Sequence, residues 1–281
     1  MRKQIIFALF LIFALHLTGA ERVVSLGPNL TEIIYHLGQE QLLVGRSSAC
    51  NYPPEVKKLP VAGDYGKIFT EPLLALKPSL VVMQETWDDT VPATLRKLNI
   101  RSLVFTAHSF EEYLNITTEL GKALDCVERA DRIVSDTRRT IEQFRAEVRE
   151  IPLEKRPRVL FIISENQIYT AGKRSFITDI IELAGGCNIA ASQDRDYFTV
   201  SPEWIVREQP DILIMPGATP QRVKVFLKKP AIKELNAVKN GRILTDIDPD
   251  IVFRLGPRTL DGVRRLRDYF RASESGERIQ K

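Results

Sequence analysis

Two kinds of hydrophobic pattern alternate along this chain. Short, nearly continuous apolar runs recur as "RVVSL" (22–26), "SLVVM" (79–83), "RSLVF" (101–105), "RVLFIIS" (158–164), "DILIM" (211–215) and "RILTDI" (242–247). Runs of this length, rich in β-branched residues, predict strands buried on both faces of a parallel sheet. Between them lie amphipathic stretches that predict helices, among them "EIIYHLG" after the first strand, "TVPATLRKLNI", "FITDIIELAGG" and "PAIKELNAVKN". In the first helix Thr31 or Asn29 is the expected cap and Gly38 the expected stop. Strands alternating with helices predict an α/β fold.

One helical stretch differs in length. From Val127 to Glu150 there is neither Gly nor Pro, and Ala130, Ile133, Val134, Thr137, Ile141, Phe144 and Val148 recur at three- and four-residue steps. The pattern predicts a single rod of about 36 Å at 1.5 Å per residue. It lies between two halves that repeat one another. "FTEPLLALKPSLVVM" and "VSPEWIVREQPDILIM" share a hydroxyl residue, an acid, an apolar turn, a proline and a strand. Glu71 and Glu203 stand 132 positions apart, as do Met83 and Met215, and Tyr65 and Tyr197. Thr70 and Ser201 are the expected N-caps of the two repeated helices. The expectation is two Rossmann-like α/β lobes, each with a parallel sheet, joined by one long α-helix. The boundaries are a leader over 1–20, a first lobe over 21–126, the connecting helix over 127–150 and a second lobe over 151–281.

Composition narrows the function. The chain has 281 residues, 44% hydrophobic and 27% charged, with a formal net charge of +4. Arg2 and Lys3 precede an apolar core from Ile5 to Leu17 and the small residues Thr18-Gly19-Ala20. This reads as a secretory signal peptide cleaved after Ala20. Its core is shorter than the roughly twenty residues that span a bilayer. No cysteine follows the site, so no lipid anchor is expected. The remaining 38 basic and 36 acidic residues are too balanced for a nucleic-acid binder. Three cysteines, Cys50, Cys126 and Cys187, leave at least one free thiol.

Nucleophile-elbow, P-loop and dinucleotide motifs are missing. His36 and His108 are far apart and read better as structural histidines than as metal ligands. Tyrosines stand out instead. Tyr52, Tyr65, Tyr169 and Tyr197 each fall in a loop after a strand or before a helix, the edge where α/β sheets bind ligands. Trp87 follows "SLVVM", while Asp248, Asp250 and Arg254 follow the last strand. Facing edges from two lobes would form an aromatic cleft for a large conjugated ring with polar margins. The aspartates and arginine would bond such a ligand's polar groups, or one another.

The phrases "RVVSLGPNLTEIIYHLG", "YPPEV", "LLALKPSLVV", "YTAGKRSF" and "GPRTLDGVRRL" together resemble the periplasmic solute-binding proteins of ABC importers, in the subclass with a single long inter-lobe helix. The likeness covers essentially the whole mature chain. Members of that subclass take up cobalamin, haem and iron siderophores, and the likeness is greatest to those that bind cobalamin. It implies a monomeric periplasmic receptor that is not an enzyme and has no resident cofactor. Its transported ligand would be cobalamin or a related corrinoid, and its partner a permease dimer with ATPase subunits. It further implies that Glu71 and Glu203 dock on arginines of the two permease subunits. Tyr52, Tyr65, Trp87, Tyr169, Tyr197, Asp248 and Arg254 would contact the ligand. The chain departs from the cobalamin binders where Gln84 replaces a tryptophan and where Ala184 and Cys187 fail to reproduce a cysteine pair. A tyrosine at position 65 also suits haem, whose iron accepts a phenolate oxygen. Haem or an iron siderophore is therefore the alternative ligand. An exported α/β enzyme acting at the lobe interface is the alternative from another class.

Overall fold

The computed structural model describes residues 21–64, 67–85 and 90–274. The leader, Tyr65, Trp87 and the polar tail from position 275 lie outside the described residues.

The first half builds β1 (Val23–Ser25), α1 (Pro28–His36), β2 (Leu43–Ser47), β3 (Val61–Asp64), β4 (Lys67–Ile68), α2 (Thr70–Ala75), β5 (Leu80–Gln84), α3 (Thr90–Lys97), β6 (Arg101–Phe105) and α4 (Phe110–Ala123). Its six-stranded sheet has the order β4-β3-β2-β1-β5-β6. All neighbours are parallel except β3 and the edge strand β4. The chain order reverses between β1 and β5, so a crevice opens beyond their carboxyl ends.

The connecting helix, α5, runs from Val127 to Arg149 and buries Ala130, Ile141, Phe144 and Val148, four of the residues in the predicted stripe. It is tied to both halves. Arg129 donates to the carbonyl of His36 in the first half at 3.1 Å, and Glu147 accepts from Arg267 in the second.

The second half contains β7 (Arg158–Ser164), β8 (Tyr169–Ala171), α6 (Phe176–Leu183), β9 (Cys187–Asn188), β10 (Tyr197–Thr199), α7 (Pro202–Glu208), β11 (Ile212–Ile214), α8 (Pro220–Leu227), α9 (Pro230–Lys233), α10 (Asn236–Lys239), β12 (Ile243–Leu244), α11 (Pro249–Phe253) and α12 (Thr259–Glu274). Its sheet runs β10-β8-β7-β11-β12, with β9 also on β7. Here the expectation of an all-parallel sheet is corrected: β8 is antiparallel to both β7 and β10. The reason is connection length. Only four residues separate β7 from β8, a hairpin's worth of chain and too little for a parallel crossover. The stretch "PAIKELNAVKN" also forms two short helices rather than one.

The central strands are buried on both faces, as their continuous apolar pattern requires. Val23, Leu80 and Val82 from the first sheet join Val159, Phe161, Ile212 and Ile214 from the second, with Ile141 and Phe144 of α5, in one shared apolar core. The alternate residues Val24, Val81 and Met83 face an outer core of the first lobe. Leu160, Ile162, Leu213 and Met215 face that of the second. Two lobes with a common core do not swing freely about a flexible joint.

The repeat extends into the backbone. The residues before the two repeated prolines, Lys77 and Gln209, both adopt left-handed conformations, with φ of 47° and 45°. Each ends its helix and aims the following proline into the next strand. Gly38 and Gly185, with left-handed φ of 69° and 93°, likewise end α1 and α6. The expected caps differ in part. Ser201 caps α7 by accepting from the Trp204 amide at 3.2 Å. Thr70, however, is the first residue of α2, and the cap position is Phe69. Helix α1 starts from Gly27 with Pro28 in its first turn, so neither Asn29 nor Thr31 caps it.

Candidate functional site

Asn29 and Thr31 are engaged elsewhere, Thr31 within the first lobe and Asn29 across the seam between the lobes. Thr31 donates from its hydroxyl toward Ser25 Oγ at 2.8 Å, beside the buried thiol of Cys50 at 3.1 Å. This packs the loop after β2 against the end of β1. Asn29 reaches across to donate to the Leu255 carbonyl in the second lobe at 3.2 Å.

The loop after β2 is ordered by Arg46, whose guanidinium donates to the carbonyls of Ser47 at 2.9 Å, Cys50 at 3.2 Å and Lys57 at 3.3 Å. The loop presents Asn51 and Tyr52. Opposite it, β12 leads into α11, which Asp248 caps by accepting from the Asp250 amide at 2.9 Å. The turn into α12 is closed by Thr259, whose hydroxyl donates to the Arg254 carbonyl at 2.9 Å and accepts from the Gly256 amide at 2.8 Å. These two loops follow the carboxyl ends of β2 and β12, and they meet.

The meeting is ionic. Glu32 of α1 accepts a two-pronged bond from Arg258 at 2.7 and 2.8 Å, and its side chain is only 4% exposed. Arg258 also pairs with Asp248 at 3.2 Å. Arg254 pairs with Asp250 at 2.9 Å, donates to Asn51 Oδ1 at 2.6 Å and stands 3.7 Å from Glu32. Asn51 in turn donates to Asp250 at 2.9 Å. The bonds to Glu32 hold the Arg258 guanidinium still further into its charged range. Its Cζ lies over the Tyr52 ring, 3.8 Å from the centroid, and the ring remains 42% exposed. The network thus sets three carboxylates against two guanidiniums.

On the second lobe the rings of Tyr169 and Tyr197 lie 6.0 Å apart with planes 31° from parallel. They are diagonal neighbours across the β8–β10 pair, where Tyr169 faces Thr199 and Tyr197 faces Ala171. Behind them, Arg222 of α8 forks onto Glu165 at 2.5 and 2.7 Å. That bond holds the Glu165 carboxyl below the usual carboxylate range. Lys229 donates to the Glu165 carbonyl at 2.8 Å, so the β7–β8 turn before Tyr169 is clamped.

Tyr52, Asp248 and Arg254 are thus brought together, and Tyr169 is paired with Tyr197. Tyr65 and Trp87 lie outside the described residues. Arg254 and Asp250 bond one another, the second of the two roles expected for them. Glu32, Asn51 and Arg258 were not singled out by sequence reasoning. Their signal was weak: an acid on a buried helix and an arginine in "GPR" reveal nothing of each other at a separation of 226 positions.

Glu71 and Glu203 are exposed in the first turns of α2 and α7. The Glu203 carboxyl is held below its ordinary range by its own backbone amide and by the Ser201 hydroxyl. No group of metal-ligating side chains is found among the described residues, and none of their helices is long and apolar enough to cross a membrane.

Comparison with known proteins gives a consistent result. A family described as periplasmic binding protein matches residues 23–250. An uncharacterized ABC transporter substrate-binding lipoprotein of Bacillus subtilis (strain 168) is 30% identical over 88% of this chain and 78% of that protein. A vitamin B12-binding protein of Vibrio vulnificus (strain CMCP6) is 27% identical over 95% of this chain and 97% of that protein. The structure of a periplasmic heme-binding protein from Roseiflexus sp. RS-1, in apo form, is similar with a TM-score of 0.80 and 28% identity. It covers 92% of this chain and 100% of that one.

Proposed function

The chain belongs to the periplasmic binding protein family, and we propose that it is the exported receptor of an ABC importer whose cargo is cobalamin or a related corrinoid. The observation that carries the choice of ligand is the charge balance at the seam. Both guanidiniums, Arg254 and Arg258, are already paired with carboxylates, and the carboxylates are in excess. A site poised for a macrocycle with free carboxylates would keep an arginine available for it. A corrinoid rimmed by neutral amides needs hydrogen-bond acceptors and flat apolar faces. Half-exposed Asp248 supplies the former. Tyr52 on one lobe, and Tyr169 with Tyr197 on the other, supply the latter.

In this reading the corrinoid lies between the lobes with ring faces against the tyrosines, joined by Tyr65 and Trp87. The shared core and the ionic seam hold the cleft largely preformed, so capture costs little reorganisation. Glu71 and Glu203, at equivalent points of the two lobes, dock on the two permease subunits, and the protein works as a monomer that performs no chemistry on its cargo. The leader is removed after Ala20 during export to the periplasm.

Haem is the second reading, favoured by the Roseiflexus likeness, with Tyr65 the residue to ligate its iron. A competition separates the two. The mature protein is incubated with equimolar cyanocobalamin, hemin and a ferric siderophore, desalted, and its retained ligand identified by mass spectrometry. Cyanocobalamin recovered chemically unchanged supports the proposal. Retention of hemin or siderophore alone, or recovery of an altered corrinoid, refutes it.

A further inference from the structure

We propose that Arg258 is a positioning residue for Tyr52, through which the second lobe sets the first lobe's wall of the ligand site. The inference rests on the ligand site proposed above.

The backbone of the loop that carries Tyr52 is shaped within its own lobe by Arg46 and its carbonyl partners, and is held from the second lobe at Asn51 by Arg254 and Asp250. The ring itself leans out of that lobe onto a guanidinium of the other, 3.8 Å from its centroid. Arg258 is suited to hold it. Its in-plane N–H groups are committed edge-on to Glu32 and Asp248, which fixes the plane of the guanidinium and leaves its faces free for a ring. One face of Tyr52 is thereby occupied, and the exposed remainder of the ring is left to receive a flat ligand. Because Glu32 lies in the first lobe and Arg258 in the second, the same side chain that joins the lobes also orients the ring. A change in the lobe angle therefore moves Tyr52, and by linkage a ligand stacked on Tyr52 strengthens the lobe joint. Lysine cannot do this, since an ammonium has no plane to fork onto a carboxylate or to stack.

The test uses the mature chain with Arg258→Lys, Tyr52→Ala and the double variant. In ligand-free protein with ring-labelled tyrosine, Arg258→Lys should shift the Tyr52 ring resonances. Amide exchange over residues 46–58 should not change, because Arg46 and the bonds of Arg254 and Asp250 to Asn51 still shape the loop. Cyanocobalamin binding should weaken about tenfold in Arg258→Lys. The double variant should bind no more weakly than Tyr52→Ala alone. Multiplicative losses in the double variant, or unmoved Tyr52 resonances, would overturn the proposal. If Arg258→Lys does not fold, the reciprocal pair decides. Tyr52→Leu should shift the Arg258 Nε–H resonance and Tyr52→Phe should leave it near its wild-type position, and an equal effect of both would overturn the proposal. If cyanocobalamin fails to bind the unaltered protein, the ligand assignment has failed, while the resonances still judge the role of Arg258.

Discussion

Replacing Glu32 by glutamine should destabilise the protein strongly, because it removes the charge that two arginines share. The Glu32 side chain is 4% exposed, and those of Arg258 and Arg254 are 15% and 18% exposed. Breaking a buried ion pair from one side costs about 3–5 kcal/mol, since the remaining charge stays desolvated and unmatched. Arg258 keeps Asp248 at 3.2 Å and Arg254 keeps Asp250 at 2.9 Å, which places the expected loss near the lower bound, about 3 kcal/mol. Each kcal/mol moves Tm by about 2–4 °C for a chain of this size, so circular-dichroism melting should show a fall of roughly 6–12 °C. Converting the pair together, Glu32→Met with Arg258→Met, should cost less than Glu32→Gln, because no buried charge is left unpaired: Asp248 is half-exposed and Arg254 keeps Asp250. A fall of less than about 2 °C for Glu32→Gln, on the same scale, would refute the view that this seam holds the lobes.

Three further outcomes are expected. At Gly121 an added Cβ would stand 2.3 Å from the Ala130 Cβ across the α4–α5 contact. Gly121→Ala should therefore lower stability by about 1–3 kcal/mol in denaturant titration despite its better helix propensity. Burial pushes the Asp179 carboxyl up to about 6, with the Glu182 charge adding to the shift. Its protonated form is the one the fold favours, so its contribution is intact below about pH 4 and is lost as pH rises through about 6. Asp179→Asn should match the wild-type stability near pH 4 and exceed it at pH 7.5, by about 1–2 kcal/mol once partial solvent screening is allowed for. Glu71→Ala with Glu203→Ala should leave ligand affinity unchanged while weakening stimulation of the importer's ATPase by roughly tenfold, with either single variant intermediate.

The α/β alternation was legible because strands buried on both faces must be continuously apolar, and "SLVVM" and "DILIM" admit little else. The connecting helix was legible because Val127 to Arg149 contains no helix breaker. The repeat was visible in Glu71 and Glu203, but its backbone counterpart was not: Lys77 and Gln209 have no composition that signals a left-handed residue. The β8–β10 pair was hidden because "YTA" and "YFT" are three residues each, too short for a periodicity to register. Helix α1 misled because its good cap residues are used elsewhere once Pro28 starts the helix, the Thr31 hydroxyl on Ser25 within the lobe and the Asn29 amide on Leu255 across the seam. At the candidate site, aromatic residues in loops pointed to a surface, and Tyr52 does lie there. Its partners Glu32 and Arg258 were out of reach, since pairing across 226 positions is a property of the folded topology and not of any local pattern.

The claim on which the account turns is that the two lobes offer their tyrosines to a corrinoid. Calorimetric titration of the mature protein with cyanocobalamin, run beside an absorbance titration with hemin, tests it most directly. Saturable one-to-one binding of cyanocobalamin, weakened in both Tyr52→Ala and Tyr197→Ala, is the expected result. Absent cyanocobalamin heat, together with a hemin charge-transfer band that disappears in Tyr65→Phe, would contradict it and assign the cleft to haem.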